Sequence, residues 1–142
     1  MTSASFEIRA ATSNDLGEIA RIQSVSPEAA QWIPADYLTY ECLVASRENR
    51  LAGFLAFRRS TNTEAELLNL AVDPQLRRQG IARRLLKAML PTAGGEVFLE
   101  VRESNLAARK FYEFMGFEVV GHRPEYYKNP VESGIVMKFL SC

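Results

Sequence analysis

Apolar and polar residues alternate from Phe6 to Ala10, which predicts a first strand. Thr12 and Asp15 follow at the spacing of a capping box. The helix they open turns Leu16, Ile19, Ala20 and Ile22 toward a core, and Pro27 ends that region. Pro34 suits the first position of a second, short helix containing Tyr37 and Leu38. Two apolar runs, Cys42 to Ser46 and Leu51 to Phe57, flank Glu48-Asn49-Arg50 and predict an antiparallel hairpin. The polar turn Ser60-Thr61-Asn62-Thr63 leads into a strand from Glu66 to Val72, which Asp73-Pro74 stops.

From Gln79 to Leu90 the period changes to helical, with Ile81, Leu85, Leu86, Met89 and Leu90 on one face. Pro91 and Gly94-Gly95 close that helix, and Val97 to Val101 is the fifth strand. Ser104 can cap a helix that runs through Met115, with Gly116 as its stop. Phe117 to Val120 and Ile135 to Leu140 are the last two strands, separated by a loop from Pro124 to Gly134. The order β-α-α-β-β-β-α-β-α-β-β predicts an α/β (α+β) fold, a mixed seven-stranded sheet with helices on both faces. At 142 residues, against about 150 per domain, the chain is expected to form a single domain over residues 1–142.

Composition narrows the chemistry. Seventeen basic residues balance seventeen acidic ones, which argues against a nucleic-acid binder. Cys42 and Cys142 are too few for a disulfide framework and read as free thiols in a reducing compartment. Neither cysteine has an activating context, and His122 is the single histidine, so no metal site is expected. Residues 1–7 lack the pattern of a signal peptide, and no apolar run reaches the ~18 residues of a membrane span. A cytoplasmic protein is expected.

The most informative segment is Leu70 to Lys87. A strand ends, a basic loop follows, and a helix starts at Gly80. The first N–H groups of a helix have no internal acceptor and favour an anion. Gly80 and Ala82 let such an anion approach the backbone closely. Residues 74–95 carry five basic groups and no acidic one, which suits a ligand with several phosphates and equally suits a solvated basic helix face. The segment lacks the Lys-Ser/Thr of a P-loop and the G-x-G-x-x-G of a dinucleotide site.

Arg77-Arg78-Gln79-Gly80-Ile81-Ala82, preceded by Leu70-Ala71-Val72-Asp73-Pro74, resembles the acetyl-CoA motif of the GNAT N-acetyltransferase family. Leu99-Glu100-Val101-Arg102-Glu103-Ser104-Asn105, Phe111-Tyr112-Glu113, Gly116-Phe117 and Tyr126-Tyr127 are similar to its ribosomal-protein alanine N-acetyltransferase (RimI-type) group. The resemblance implies the GNAT fold and, between the fourth and fifth strands, a V-shaped opening for the pantetheine arm. It assigns the pantetheine and thioester carbonyl to backbone groups of Leu70, Ala71 and Val72. It assigns the pyrophosphate to the Arg77-Arg78-Gln79-Gly80-Ile81-Ala82-Arg83 segment, through backbone N–H groups from Arg78 to Arg83. Asn105 corresponds to a side chain that contacts the cofactor arm.

By the same resemblance Glu100 is the general base and Tyr112 the general acid. An amine attacks only when neutral, and an α-amine (pKa ~8) or a lysine (~10.4) arrives largely protonated at pH 7. A carboxylate can take that proton, and a phenol can support the departing thiolate. Glu100 could instead pair with Arg102 on the same strand face, and Tyr112 could be packed in a core. Tyr126 and Tyr127, in the loop before the last strand, resemble acceptor-site residues or form a local packing cluster. Trp32 and Tyr37 either line the opposite wall or belong to the core. Two departures from the group lie on the acceptor side: Glu132 is followed by Ser133-Gly134, and residues 24–43 show little similarity.

The implied activity is acetyl-CoA-dependent transfer of an acetyl group to a primary amine, foremost a protein N-terminal α-amine, with a ribosomal protein among the possible acceptors. Lysine or small-molecule acetylation and a non-catalytic CoA-binding sensor are the alternatives. No metal, direct nucleic-acid or membrane partner is expected, and the chain would act as a monomer or homodimer.

Overall fold

Phe54 and Gly53 point to opposite faces of one central strand, and different helices cover each. In the computed structural model, which describes residues 6–48 and 50–140 (with the backbone alone at 140), seven strands and three α-helices form. They are β1 (Glu7–Ala10), α1 (Leu16–Ser24), β2 (Glu41–Arg47), β3 (Arg50–Thr61), β4 (Glu64–Val72), α2 (Ile81–Met89), β5 (Glu96–Arg102), α3 (Leu106–Phe114), β6 (Glu118–Tyr127) and β7 (Glu132–Leu140). The sheet order is β1-β2-β3-β4-β5-β7-β6. Residues 1–5, Asn49 and Cys142, named in the sequence expectations above, lie outside the described residues.

The chain forms two compact units, residues 6–58 with Leu68–Thr92 and Arg59–Leu67 with residues 93–140. In the first unit, β2 pairs antiparallel with β1 and with β3, as the hairpin pattern predicts. Leu51 to Phe57 are buried without interruption, the signature of a strand covered on both faces. Phe54 packs with Ile19, Ile22 and Tyr37, so α1 and the 3-10 segment Pro34–Thr39 cover one side. On the other side a Cβ at Gly53 would lie 3.2 Å from Ile81 Cγ2, so α2 sits directly on the strand. Helix α2 buries Ile81, Leu85, Leu86 and Met89, four of the five positions its period predicts. Leu90 is buried too, but in a 3-10 turn that follows the helix.

Thr12 and Asp15 form the expected capping box, with Thr12 N donating to Asp15 Oδ2 at 2.8 Å. The box opens a short 3-10 turn that leads into α1.

In the second unit, β4 pairs in parallel with β5 at Glu64↔Glu96, Ala65↔Val97 and Glu66↔Phe98. Strand β7 pairs antiparallel with both β5 and β6. Strand β6 is more than twice as long as expected. Residues 124–134, expected as a loop, instead form a hairpin, and β7 begins at Glu132. Most of β6 is exposed, which is why it lacks the apolar alternation that marks a strand in sequence. Asn105, rather than Ser104, caps α3, its Oδ1 accepting from Ala108 N at 3.2 Å.

Candidate active site

In the first unit a loop joins β4 to α2 and bends its backbone back on itself. Asp73 ends β4 and is 3% exposed. Its Oδ1 accepts from Gln75 N at 3.0 Å and its Oδ2 from Arg21 Nη1 at 2.8 Å. Burial alone would raise the Asp73 carboxyl, but these bonds hold it below its ordinary value. Arg78 (φ 67°) and Gly80 (φ 74°) then both turn through the left-handed region. Such reversals aim successive N–H groups into one concavity. The first bond of α2 runs from Arg84 N to Gly80 O at 3.0 Å. The amides of Ile81, Ala82 and Arg83 precede it and have no intrahelical acceptor. A Cβ at Gly80 would meet nothing within 4 Å, so the loop is open on that side. Arg77 Nη2 meets Glu28 Oε1 at 2.8 Å, with both side chains about half exposed.

Leu70, Ala71 and Val72 form the end of β4. The Leu70 amide is already engaged, donating to Asn69 Oδ1 at 3.1 Å. Asn69 was not singled out in the sequence, although a polar residue at an inward strand position was a signal. Tyr37 requires a correction: it is fully buried, its hydroxyl donates to Gln23 Oε1 and accepts from Asn69 Nδ2, and it belongs to the core rather than to a binding wall. Trp32 packs on Tyr37 (ring centroids 4.7 Å) and on Tyr40 (5.4 Å), partly buried against the same core.

The second unit gathers Glu100, Tyr126 and Tyr127. Glu100 pairs with Arg123, whose Nε lies 3.1 Å from its Oε1, and not with Arg102. Arg102 instead meets Glu132 Oε1 at 3.1 Å and stacks over the Tyr127 ring at 4.4 Å. Arg123 in turn lies 5.2 Å from the centroid of Tyr126. The two tyrosines meet edge to face at 5.1 Å on β6, a strand and not a loop. Hydrogen bonding to the Glu100 carboxylate, and its charge, raise the Tyr126 phenol above its ordinary value. Burial raises the Tyr127 phenol to about 12.

Gly134 stands beneath this group. A Cβ there would lie 3.3 Å from Tyr126 Cδ2, 3.4 Å from Glu100 Cγ and 3.4 Å from Tyr127 Cε2. Neither Arg123 nor Gly134 was legible as a site residue, because both act through cross-strand register.

Tyr112 lies on α3 against Phe111 (5.3 Å) and Phe117 (5.5 Å). Burial raises its phenol well above the ordinary value, so the hydroxyl stays protonated. Its backbone carbonyl accepts from Phe117 N at 2.9 Å while Gly116 N donates to Glu113 O at 3.0 Å, a Schellman ending that fixes the end of the helix. Asn105 uses its oxygen as the α3 cap, and its Nδ2 takes no part in that bond. Cys42 is buried and its thiol is pushed up to about 12, which leaves it inert as a nucleophile. Among the described residues no three His, Cys, Asp or Glu side chains group as a metal site, and no helix is long and apolar enough to cross a membrane.

The chain is 44% identical over 78 residues to the N-alpha-acetyltransferase RimI of Mycobacterium tuberculosis, a match that takes in 54% of this chain and 49% of that protein. Matched segments cover 26% to 62% of the curated relatives, so the chain spans about half the length of the proteins it matches. Its fold superposes on the Escherichia coli ribosomal-protein-S18-alanine N-acetyltransferase with a TM-score of 0.83 and 28% identity, covering 96% of this chain and 94% of that one. Ard1 from Thermoplasma volcanium superposes with a TM-score of 0.89 and 26% identity, over 98% and 99% of the two chains. The acetyltransferase (GNAT) family pattern runs from residue 12 to residue 117, across the left-handed loop and the strand that carries Glu100, and the chain belongs to that family.

Proposed function

We propose that the protein is an acetyl-CoA-dependent N-acetyltransferase whose acceptor is the α-amine of a protein N-terminus. The observation that carries this reading is Glu100, a carboxylate with only 16% of its side chain exposed and bordered by two tyrosines. The superposition on an N-terminal alanine acetyltransferase over 96% of this chain, together with 44% identity over 78 residues to an N-alpha-acetyltransferase, favours the α-amine over a lysine. A ribosomal protein as acceptor and a cytoplasmic site of action go with the same reading.

Acetyl-CoA supplies the acetyl group and, as its thiol, the leaving group. The left-handed loop fits its pyrophosphate, because Gly80 opens onto free space and the amides of residues 81–83 lack intrahelical acceptors. The backbone of Ala71 and Val72, with what remains at Leu70 once its amide is taken, suits the amide groups of the pantetheine arm, and Asn105 Nδ2 offers a further donor.

Glu100 accepts a proton from the incoming ammonium and leaves a neutral amine able to attack. Tyr112, kept protonated by burial and without a hydrogen-bond partner among the described residues, donates toward the developing thiolate. Tyr126 and Tyr127 border the carboxylate, and Tyr126 hydrogen-bonds to it.

The test uses acetyl-CoA and peptides that each carry a free N-terminus and one internal lysine, with tandem mass spectrometry to locate the acetyl group. Acetylation at the α-amine supports the reading, and acetylation at lysine alone overturns its acceptor. Glu100→Gln combined with Tyr112→Phe should lower turnover by at least two orders of magnitude, while calorimetry finds CoA binding retained. Unchanged turnover in that double variant rejects the assigned roles.

A further inference from the structure

We propose that Arg123 is a resident cation occupying the place of the acceptor's ammonium group, so that an acceptor enters by displacing it. The inference rests on the reading of Glu100 as the group that receives the amine. A protonated amine is best held between a carboxylate and the face of an aromatic ring. The second unit contains such a place, and Arg123 fills it: Nε is 3.1 Å from Glu100 Oε1 and the guanidinium lies 5.2 Å from the Tyr126 centroid.

The neighbouring cation is committed elsewhere, since Arg102 is held by Glu132 and by the carbonyls of Lys128 and Pro130. Arg123 has no such second anchor among the described residues, and 59% of its side chain is exposed. It sits where the β6–β7 ladder breaks register, between Arg123 and Tyr127, on the outermost strand of the sheet. Its backbone partner across the ladder is Gly134, which puts no side chain in the way of an outward swing. The arginine end of this pair is open to solvent and its cation–aromatic contact at 5.2 Å is weak, so a ligand can exchange with the guanidinium.

The test measures binding, by calorimetry with CoA present, of an alanine-initiated hexapeptide that has no other amine, and of the same peptide with its N-terminus acetylated. Arg123→Ala should tighten binding of the free-amine peptide about fivefold and leave the acetylated peptide unchanged. Arg123→Lys should restore the original affinity, and in a Glu100→Gln background Arg123→Ala should have no effect. Equal tightening of both peptides would mean that the side chain merely blocks space and would overturn the proposal, as would weaker or unchanged binding of the free amine. Because these are binding measurements, a protein that binds as expected but transfers no acetyl group would refute the proposed activity and leave the role of Arg123 standing.

Discussion

Asn69 Nδ2 donates to the Tyr37 hydroxyl at 2.8 Å, joining the end of β4 to the 3-10 segment in a place that solvent does not reach. The same side chain brackets Ala30, accepting from its N–H at 3.2 Å and donating to its carbonyl at 3.0 Å. Gln23 does the same at Trp32, with bonds of 3.1 and 2.8 Å. Two side-chain amides thus serve the connection after α1 as a neighbouring strand would.

Asn69→Ala removes four hydrogen bonds and leaves the Tyr37 hydroxyl one partner short. Buried polar groups left unpaired cost about 1–3 kcal/mol each. The expected result is a melting temperature lower by several degrees, with Tyr37→Phe causing a smaller loss. Thermal denaturation followed by circular dichroism checks both, and an unchanged melting temperature for Asn69→Ala refutes the assignment.

Gly80→Ala places a side chain at φ 74°, where an L-residue is strained by roughly 1–2 kcal/mol. The cradle has space for the methyl group, so the effect comes from the backbone and not from a clash. CoA affinity measured by calorimetry should fall about tenfold, while the helix content is kept.

Arg9 grips Asp15 with two bonds, Nη1 to Oδ2 at 2.8 Å and Nη2 to Oδ1 at 2.9 Å. That grip, opposed by burial and aided by the Thr12 amide, holds the Asp15 carboxyl below its ordinary 3.8. A carboxyl whose native pKa is lowered contributes stability that is present above its unfolded pKa and lost as pH falls through the native value. Urea midpoints should therefore decline as pH drops below about 4, and Asp15→Asn should flatten part of that decline. An identical acid limb in both proteins would show that the pair is not linked to folding.

Gly134→Ala drives a methyl group to within 3.3–3.4 Å of Tyr126, Glu100 and Tyr127 at once. The catalytic efficiency toward a peptide amine is expected to fall about tenfold, since sub-ångström misplacement of reacting groups is costly. CoA affinity should stay the same, and steady-state kinetics beside CoA titration separates the two.

Local signals in the sequence specify local structure in this chain. The Thr12–Asp15 box, the β2–β3 hairpin and the inward face of α2 each depend on neighbours a few residues apart, and each formed. The long β6 stayed hidden because an exposed edge strand needs no apolar alternation, and Pro124 looked like a breaker. The partner of Glu100 stayed hidden for a related reason. Alternation along β5 put Arg102 on the correct face, but Arg123 reaches Glu100 through the β5–β7–β6 register, which includes a shift that no local pattern encodes. Tyr37 was ambiguous because aromatic spacing tells that a ring is near a helix, not which side of it is buried.

The left-handed turns at Arg78 and Gly80 offer a ligand main-chain amides rather than side chains. Every amino acid except proline carries that amide. Positions 78, 79 and 81–83 can therefore change their side chains over evolutionary time without erasing the donors. Proline at any of these positions would be the exception; at 81 the first turn of the helix accepts it without unwinding, yet one donor would still vanish. Recognition through these amides would thus be stored in the repeating part of the polymer, where a change of side chain away from the left-handed positions leaves the donors in place.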